Sequence, residues 1–189
     1  MLDKSIPYYR ILLKRKPGTD IPYAALPEGY TFVRYEPGDE EAWASIETSV
    51  QEFEQEEDAL AYIKEHYAPF TEELKRRMLF VQDESGSKVA TFTAWWNYTG
   101  ERRYPFMHWV AVKPEAQGKG IGKALIAHGV QHMIHVEGDV AMYIPTQTWS
   151  HKAIRLYRWA GFDFVVDEPR PGGFENQTEQ GIEIIRGLL

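Results

Sequence analysis

The sequence predicts an α+β fold, one mixed and mostly antiparallel sheet with helices on both faces. Three observations predict it. The element order reads strand, two or three helices, a meander of three strands, then helix–strand–helix–strand. The apolar period changes to two at Met78. A strand ending at Val112 runs through a glycine-rich turn straight into a helix. A chain of 189 residues suffices for one domain with a substantial core and a short extension. Residues 1–29 read as an N-terminal extension of strand plus loop, and residues 30–189 as a single domain.

Taken in order, Tyr8 to Lys14 reads as a short strand. Lys16 to Gly29, with Pro17, Gly18, Pro22 and Pro27, reads as a loop. Tyr30 to Tyr35 is rich in aromatic and β-branched residues and reads as a strand. Pro37-Gly38-Asp39 is a turn whose Asp39 caps a helix through Trp43 and Ile46. A second helix covers Glu56 to His66; after Pro69, Thr71 caps a short third one. Met78 to Gln82 and Lys88 to Trp96 are strands joined by a hairpin turn at Glu84 to Ser87. Asn97 to Arg103 is a loop and Pro105 to Val112 a strand. Gly118 to about Val136 is a helix, Val140 to Pro145 a strand, Ser150 to Ala160 a helix and Phe162 to Val166 a strand. Ile182 to Arg186 closes the pattern as a last strand. Its apolar Ile182, Ile184 and Ile185 would suit a homodimer contact.

Composition narrows the function. Hydrophobic residues are 43% and charged residues 26%, as in ordinary globular chains. A net charge of −7 argues against a nucleic-acid partner, which needs clustered Lys and Arg, and tolerates a cationic substrate. Asp and Glu crowd the stretch from Glu36 to Glu73, as a solvated helix surface or, in part, as steering for a positively charged amine. Without cysteine there is no disulfide, thiolate metal site or cysteine nucleophile, and a reducing cytoplasm is expected. No apolar run approaches the roughly 20 residues of a membrane span, so no membrane partner is expected. Met1 to Arg10 lacks the apolar core of a signal peptide.

The most informative segment is Val110-Ala111-Val112-Lys113-Pro114-Glu115-Ala116-Gln117-Gly118-Lys119-Gly120-Ile121-Gly122-Lys123. Glycines let main chain approach a ligand closely. The first N–H groups of a helix have no partner inside it, and the helix dipole adds positive charge there. Together they suit a phosphate or diphosphate, with Lys119 and Lys123 adding full charges. A Walker loop is excluded, because Ala124 follows Lys123 and Gln117 stands where its first glycine belongs. The dinucleotide fingerprint is excluded because Gly118, Gly120 and Gly122 alternate. What remains is Gln-x-x-Gly-x-Gly after a Val-Ala-Val strand, carried by Gln117, Gly120 and Gly122. This form resembles the GNAT superfamily.

A second run, from Ser150 to Phe162, supports the resemblance. Ser150 can cap a helix; Gly161 suits its left-handed stop, with apolar Phe162 behind it. Ala153, Ile154, Leu156, Tyr157 and Ala160 share one helical face, so Tyr157 is on the buried side. Alone, such a tyrosine reads as core. The run resembles the family's Asn-x-x-Ala-x-x-Leu-Tyr-x-x-x-Gly-Phe pattern, with Ser150 in place of the leading Asn.

The resemblance implies a GNAT-like sheet and acetyl-CoA as cosubstrate. The implied cofactor contacts are Val110, Ala111, Val112, Gln117, Gly118, Lys119, Gly120, Ile121, Gly122, Lys123, Ser150 and Lys152. It also implies that the Val110–Val112 strand splays from Val140–Pro145 to admit the pantetheine arm, with strand N–H groups polarising the thioester carbonyl. Tyr157 would protonate the leaving thiolate. His108, alternating onto the face of Val110 and Val112, is either the general base or a structural histidine. The implied reaction is acetyl transfer to a primary amine of a small molecule or peptide by direct attack in a ternary complex. The alternatives are a non-catalytic acyl-CoA-binding module on the same fold and a nucleotide binder of another class.

Three weaker constellations complete the reading. His128, His132 and His135 share a helix face, as metal ligands can, but no carboxylate or fourth ligand is evident and no metal is expected. Trp95, Trp96 and Tyr98 form either an aromatic cage for an ammonium group or sheet packing. Glu52, Phe53 and Glu54, between the first helices, lie toward the expected acceptor side.

Overall fold

The computed structural model describes residues 2–189. Among them, seven strands form one sheet: β1 (Arg10–Arg15), β2 (Tyr30–Arg34), β3 (Met78–Asp83), β4 (Lys88–Thr99), β5 (Arg102–Val112), β6 (Met142–Gln147) and β7 (Asp163–Phe164). The order is β2-β3-β4-β5-β6-β1-β7. The α-helices are α1 (Glu40–Ser49), α2 (Glu56–His66), α3 (Thr71–Arg77), α4 (Ile121–Glu137), α5 (His151–Trp159) and α6 (Thr178–Ile185). β2 with β3, β3 with β4, β1 with β6 and β1 with β7 pair antiparallel, and β5 meets β6 in parallel at Phe106 and Tyr143. The α+β expectation, with a mixed and mostly antiparallel sheet, holds.

The chain divides into two units, residues 23–93 with 109–129, and residues 2–22 with 94–108 and 130–189. In the first unit, Trp43, Ile46, Ala59, Ile63, Leu74 and Phe80 are buried. The β3–β4 hairpin turns where expected. Asp83 Oδ1 accepts the N–H groups of Ser85 and Ser87 at 2.9 and 3.0 Å, and Gly86 takes φ 85°. Two helix starts differ from expectation. Asp39 stands at the N-cap of α1, but its carboxylate accepts the Glu36 N–H at 2.9 Å and pairs with Lys88 instead of capping the helix. Thr71 is the first residue of α3, and its hydroxyl donates to the Ala68 carbonyl at 2.7 Å. Pro69 starts a 3-10 turn over Ala68–Phe70 that runs directly into α3, so no separate cap is needed.

In the second unit, β1 lies between β6 and β7, and its Ile11, Leu12 and Leu13 are fully buried. Leu12 packs with Tyr104, Phe106, Tyr143 and Val165. The loop expected over Asn97 to Arg103 contracts to a turn at Gly100, φ 58°, because β4 and β5 both run on toward it. The last strand expected over Ile182 to Arg186 is instead the end of α6. Three isoleucines at 182, 184 and 185 fit either period. The helical one wins because Thr178, Gly181 and Ile185 make its buried face. Gly181 sits so close to Ile11 that a Cβ there would lie 2.7 Å from Ile11 Cγ1. A homodimer contact through an exposed strand at these residues therefore has no strand to use.

Helix α5 stops as the sequence predicts. Gly161 takes φ 88°, its N–H donates to the Arg158 carbonyl and the Phe162 N–H to the Tyr157 carbonyl, both at 3.1 Å. A Cβ on Gly161 would lie 2.6 Å from Thr19 Cγ2. Gly161→Ala therefore adds a left-handed alanine and a collision, and a loss of about 2 kcal/mol or more is expected in urea unfolding. An unchanged midpoint would contradict this assignment.

Candidate active site

In the first unit, β5 ends at Val112 and a 3-10 turn over Pro114–Ala116 leads to the glycine turn. Gln117 ties it back, its side-chain amide donating to the Val112 carbonyl at 2.8 Å. Gly118 and Gly120 take φ 77° and 91°, and a Cβ at either would meet open space. Glycine is thus required by conformation, and the space is left on the solvent side. None of the Gly118, Lys119 and Gly120 N–H groups donates to an acceptor among the described residues. The Gly120 carbonyl accepts the Ala124 N–H at 3.2 Å, so α4 starts at once and its first N–H groups have no acceptor within the helix.

Side chains around the turn sort clearly. Ile121 is buried and presents only main chain, while Gly122 is the second residue of α4 and Lys123 is exposed. Lys119 donates to the Tyr30 hydroxyl at 3.1 Å and lies 5.8 Å from that ring's centroid. Of the strand residues before the turn, Ala111 is buried and Val110 and Val112 are partly exposed. A turn of open amides with Lys119 and Lys123 nearby fits a diphosphate.

In the second unit, α5 presents the expected face: Ile154, Tyr157 and Ala160 are buried, and Lys152, Arg155 and Arg158 are exposed. Ser150 stands at the N-cap but makes no side-chain cap bond, because a 3-10 turn over Thr148–Ser150 precedes the helix. Two polar ends of one segment, Ser150 and Lys152, therefore flank the start of a helix that carries Tyr157.

His108 keeps part of its surface in solvent, yet burial lowers its imidazole from 6.5 to about 4. It is uncharged at neutral pH. The next residue carries a feature that sequence reasoning missed: Trp109 takes φ 53°, a left-handed conformation that bulky residues rarely adopt. It interrupts the regular alternation on which a shared face for His108, Val110 and Val112 depends.

Trp109 belongs to an aromatic group in the first unit. Trp43 and Tyr62 are nearly parallel, 6.3 Å between centroids and 10° between planes. Trp109 stands across both, 5.2 Å from each at 81° and 71°. Phe53 stacks on Trp109 at 5.6 Å, and the Trp109 indole N–H donates to the Tyr67 hydroxyl at 2.9 Å. Beside Trp43, one turn on along α1, lies Glu47. It is only 1% exposed, and its Oε1 has no hydrogen-bond partner among the described residues. Burial first, then the nearby Glu52 carboxylate, hold the Glu47 carboxyl well above the usual range. Glu47 carried no sequence signal beyond its place in an acidic stretch.

Two other expectations are redistributed. Trp95 and Trp96 stack at 4.5 Å, and the Arg103 guanidinium covers Trp96 at 4.7 Å, so these rings pack within the second unit. His128 stacks on Phe32 at 4.0 Å, His132 is buried and His135 is exposed. Among the described residues no group of three or more His, Cys, Asp and Glu is placed to hold a metal ion. No described helix is long and apolar enough to cross a membrane.

The model of the Acetyltransferase (GNAT) family matches residues 40–162. The chain is similar to a protein named mycothiol acetyltransferase from Pseudarthrobacter chlorophenolicus, 31% identical over 158 residues, covering 76% of this chain and 45% of the relative. A protein of the same name from Streptomyces bingchenggensis is 31% identical over 153 residues, covering 76% and 46%. The chain thus spans about half the length of the curated relatives it matches. Among solved structures, a GCN5-related N-acetyltransferase from Sphaerobacter thermophilus aligns with a TM-score of 0.61 at 23% identity, covering 85% of this chain and 49% of that one. An acetyltransferase from the GNAT family of Colwellia psychrerythraea aligns with a TM-score of 0.62 at 14% identity, covering 84% and 54%. The chain belongs to the GNAT acetyltransferase family.

The depressed imidazole of His108 has a measurable consequence. The unfolded chain takes up a proton near 6.5, whereas the folded chain refuses it until about 4. Folding is therefore supported above 6.5 and loses support as pH falls between those values, by up to about 1.4 kcal/mol per pH unit. His108→Gln should unfold in urea with a visibly flatter pH dependence over that window. Parallel curves for variant and parent would show that His108 titrates normally.

Proposed function

We propose that this chain transfers an acetyl group from acetyl-CoA to a primary amine of a small molecule or peptide, by direct attack in a ternary complex. The observation that carries the reading is the turn at Gly118 and Gly120, with its open main-chain amides at the start of α4. The family match over residues 40–162 supports it.

Acetyl-CoA, when bound, supplies an activated acyl group and a thiol as leaving group. The chain's own residues do the rest. The N–H groups of Gly118, Lys119 and Gly120 and of the first turn of α4 hold the diphosphate. Lys123 adds positive charge there, Gln117 keeps the turn in shape, and Ser150 and Lys152 contact the remainder of the cofactor. N–H groups of Val110, Ala111 and Val112 polarise the carbonyl that the amine attacks. Tyr157 donates its hydroxyl proton to the departing sulfur, a task suited to a group that keeps its proton at neutral pH. The nitrogen must lose a proton as it attacks. His108 is proton-free across neutral pH and can accept it, but an imidazole lowered to about 4 holds a proton weakly and passes it on to water.

A CoA-release assay over a library of amines tests the reading, with wild type beside Tyr157→Phe. Turnover of at least one amine is expected, with kcat in the variant lower by about tenfold or more and acetyl-CoA affinity little changed. Binding of acetyl-CoA with no amine turned over would replace this reading by a sensing module. Equal turnover by Tyr157→Phe would remove Tyr157 from the reaction.

A further inference from the structure

We propose that the stop of α1, where Glu47 and Glu52 meet, is a charge-operated latch: when Glu47 takes a negative charge, the α1–α2 connection over residues 51–55 lifts from the rings of Trp43 and Trp109. The latch lies wholly in the first unit and does not depend on the acetyl-transfer reading.

Helix α1 ends on a pair of hydrogen bonds. The Gln51 N–H donates to the Thr48 carbonyl at 2.9 Å, and the Glu52 N–H to the Glu47 carbonyl at 3.1 Å. A stop of this kind needs a left-handed residue where the chain turns back, and glycine is the usual occupant. Here Gln51 takes that place, at φ 72°. The stop also sets the side chains of positions 47 and 52 near each other, where an apolar contact is customary. Here both are carboxyl groups. Helix α5 shows the ordinary form of the same stop, with Gly161 at φ 88° and the buried Tyr157 and Phe162 at the two matching positions. The stop of α1 thus departs from the pattern at both of its side-chain requirements.

Burial makes the departure consequential. Glu47 is 1% exposed, and its Oε1 has no hydrogen-bond partner among the described residues. Trp43 Nε1 and Thr48 Oγ1, on the same helix, are buried without partners too. The closed form keeps these polar atoms dry, a cost that grows steeply once Glu47 is charged. The connection that covers them is lightly held. Gln51, Glu52, Glu54 and Gln55 are exposed. Phe53 alone among residues 51–55 is partly buried, its ring 5.6 Å from Trp109 and 5.9 Å from Trp43.

The surroundings offer Glu47 no countercharge. The titratable and charged groups around it are Glu52 on the connection, Tyr62 and His66 on α2, Tyr67 after it, and Lys113 after β5. The Lys113 ammonium donates to the Ser45 hydroxyl at 3.1 Å, two residues from Glu47 and so on another face of α1. Burial keeps the protons on Tyr62 and Tyr67. Burial first and the Glu52 carboxylate second oppose charge on Glu47, and opening into water removes both penalties. A glutamate ordinarily loses its proton near 4.5, and closure holds Glu47 well above that. Closure is therefore fully supported below 4.5 and loses support as pH rises toward the raised value. Opening gains up to about tenfold per pH unit across that window, for the one proton released.

Amide hydrogen exchange of the full chain tests the latch, read by nuclear magnetic resonance from about pH 5 to about pH 8 and corrected for the intrinsic pH dependence of exchange. In wild type, opening at the Gln51 and Glu52 amides should rise by up to about tenfold per pH unit, while residues 124–129 of α4 in the same unit stay level. Glu47→Gln, a neutral isostere, should flatten the rise. Phe53→Ala removes the ring that holds the connection down and leaves Glu47 in place. It should raise opening about tenfold at every pH with the slope kept, which reads the latch even where Glu47→Gln fails to fold. Level opening in wild type, a slope that Glu47→Gln leaves unchanged, or a slope lost in Phe53→Ala would overturn the inference. A rise shared equally by α4 would overturn it too, since the unit would then be unfolding as a whole.

Discussion

The left-handed turn through Gly118 and Gly120 is the constraint on which the remaining features depend. Any other residue there would strain the backbone, and the glycines are used to turn amides outward instead of into the protein. Gln117 spends its side chain on the Val112 carbonyl, fixing the distance between strand end and helix start. The helix then begins without a side-chain cap. Each of these choices is mildly unfavourable for a free-standing helix, since glycine near a helix start costs up to about 1 kcal/mol relative to alanine. The proposal that an anion completes the site accounts for them together.

A similar trade is visible in the first unit at Glu47. Burial first, and then the Glu52 carboxylate, raise the Glu47 carboxyl well above its usual range. A leucine would pack there at less cost, as is common when buried ionic groups are replaced by apolar ones. The strained backbone at Trp109 belongs to the same balance, with a local cost set against the position of one indole.

How much of this was legible in the sequence depends on the range of the forces involved. Helix α2 was predicted from Glu56 to His66 and is found there, because its period and its flanks are local. Gly161 and Phe162 announced the end of α5 for the same reason. The glycine turn was legible because few other structures need three alternating glycines before a helix. Other features are decided at long range. Ile182, Ile184 and Ile185 look like a strand until Ile11 is seen to require a glycine at 181 and a helical face around it. Thr71 and Asp39 look like caps until Pro69 and Lys88 claim the neighbouring geometry. Trp109 carries no mark of its left-handed conformation. The depressed imidazole of His108 and the orphaned Glu47 arise from burial by distant residues, which no spacing rule reports.

The central claim, that main-chain amides of this turn grip a CoA diphosphate, is tested most directly by nuclear magnetic resonance. The isotope-labelled chain is titrated with CoA while the amide signals of Gly118, Lys119 and Gly120 are followed. Large downfield shifts that saturate together at those three positions are the predicted result. Saturation elsewhere in the chain with these amides unmoved would contradict the account.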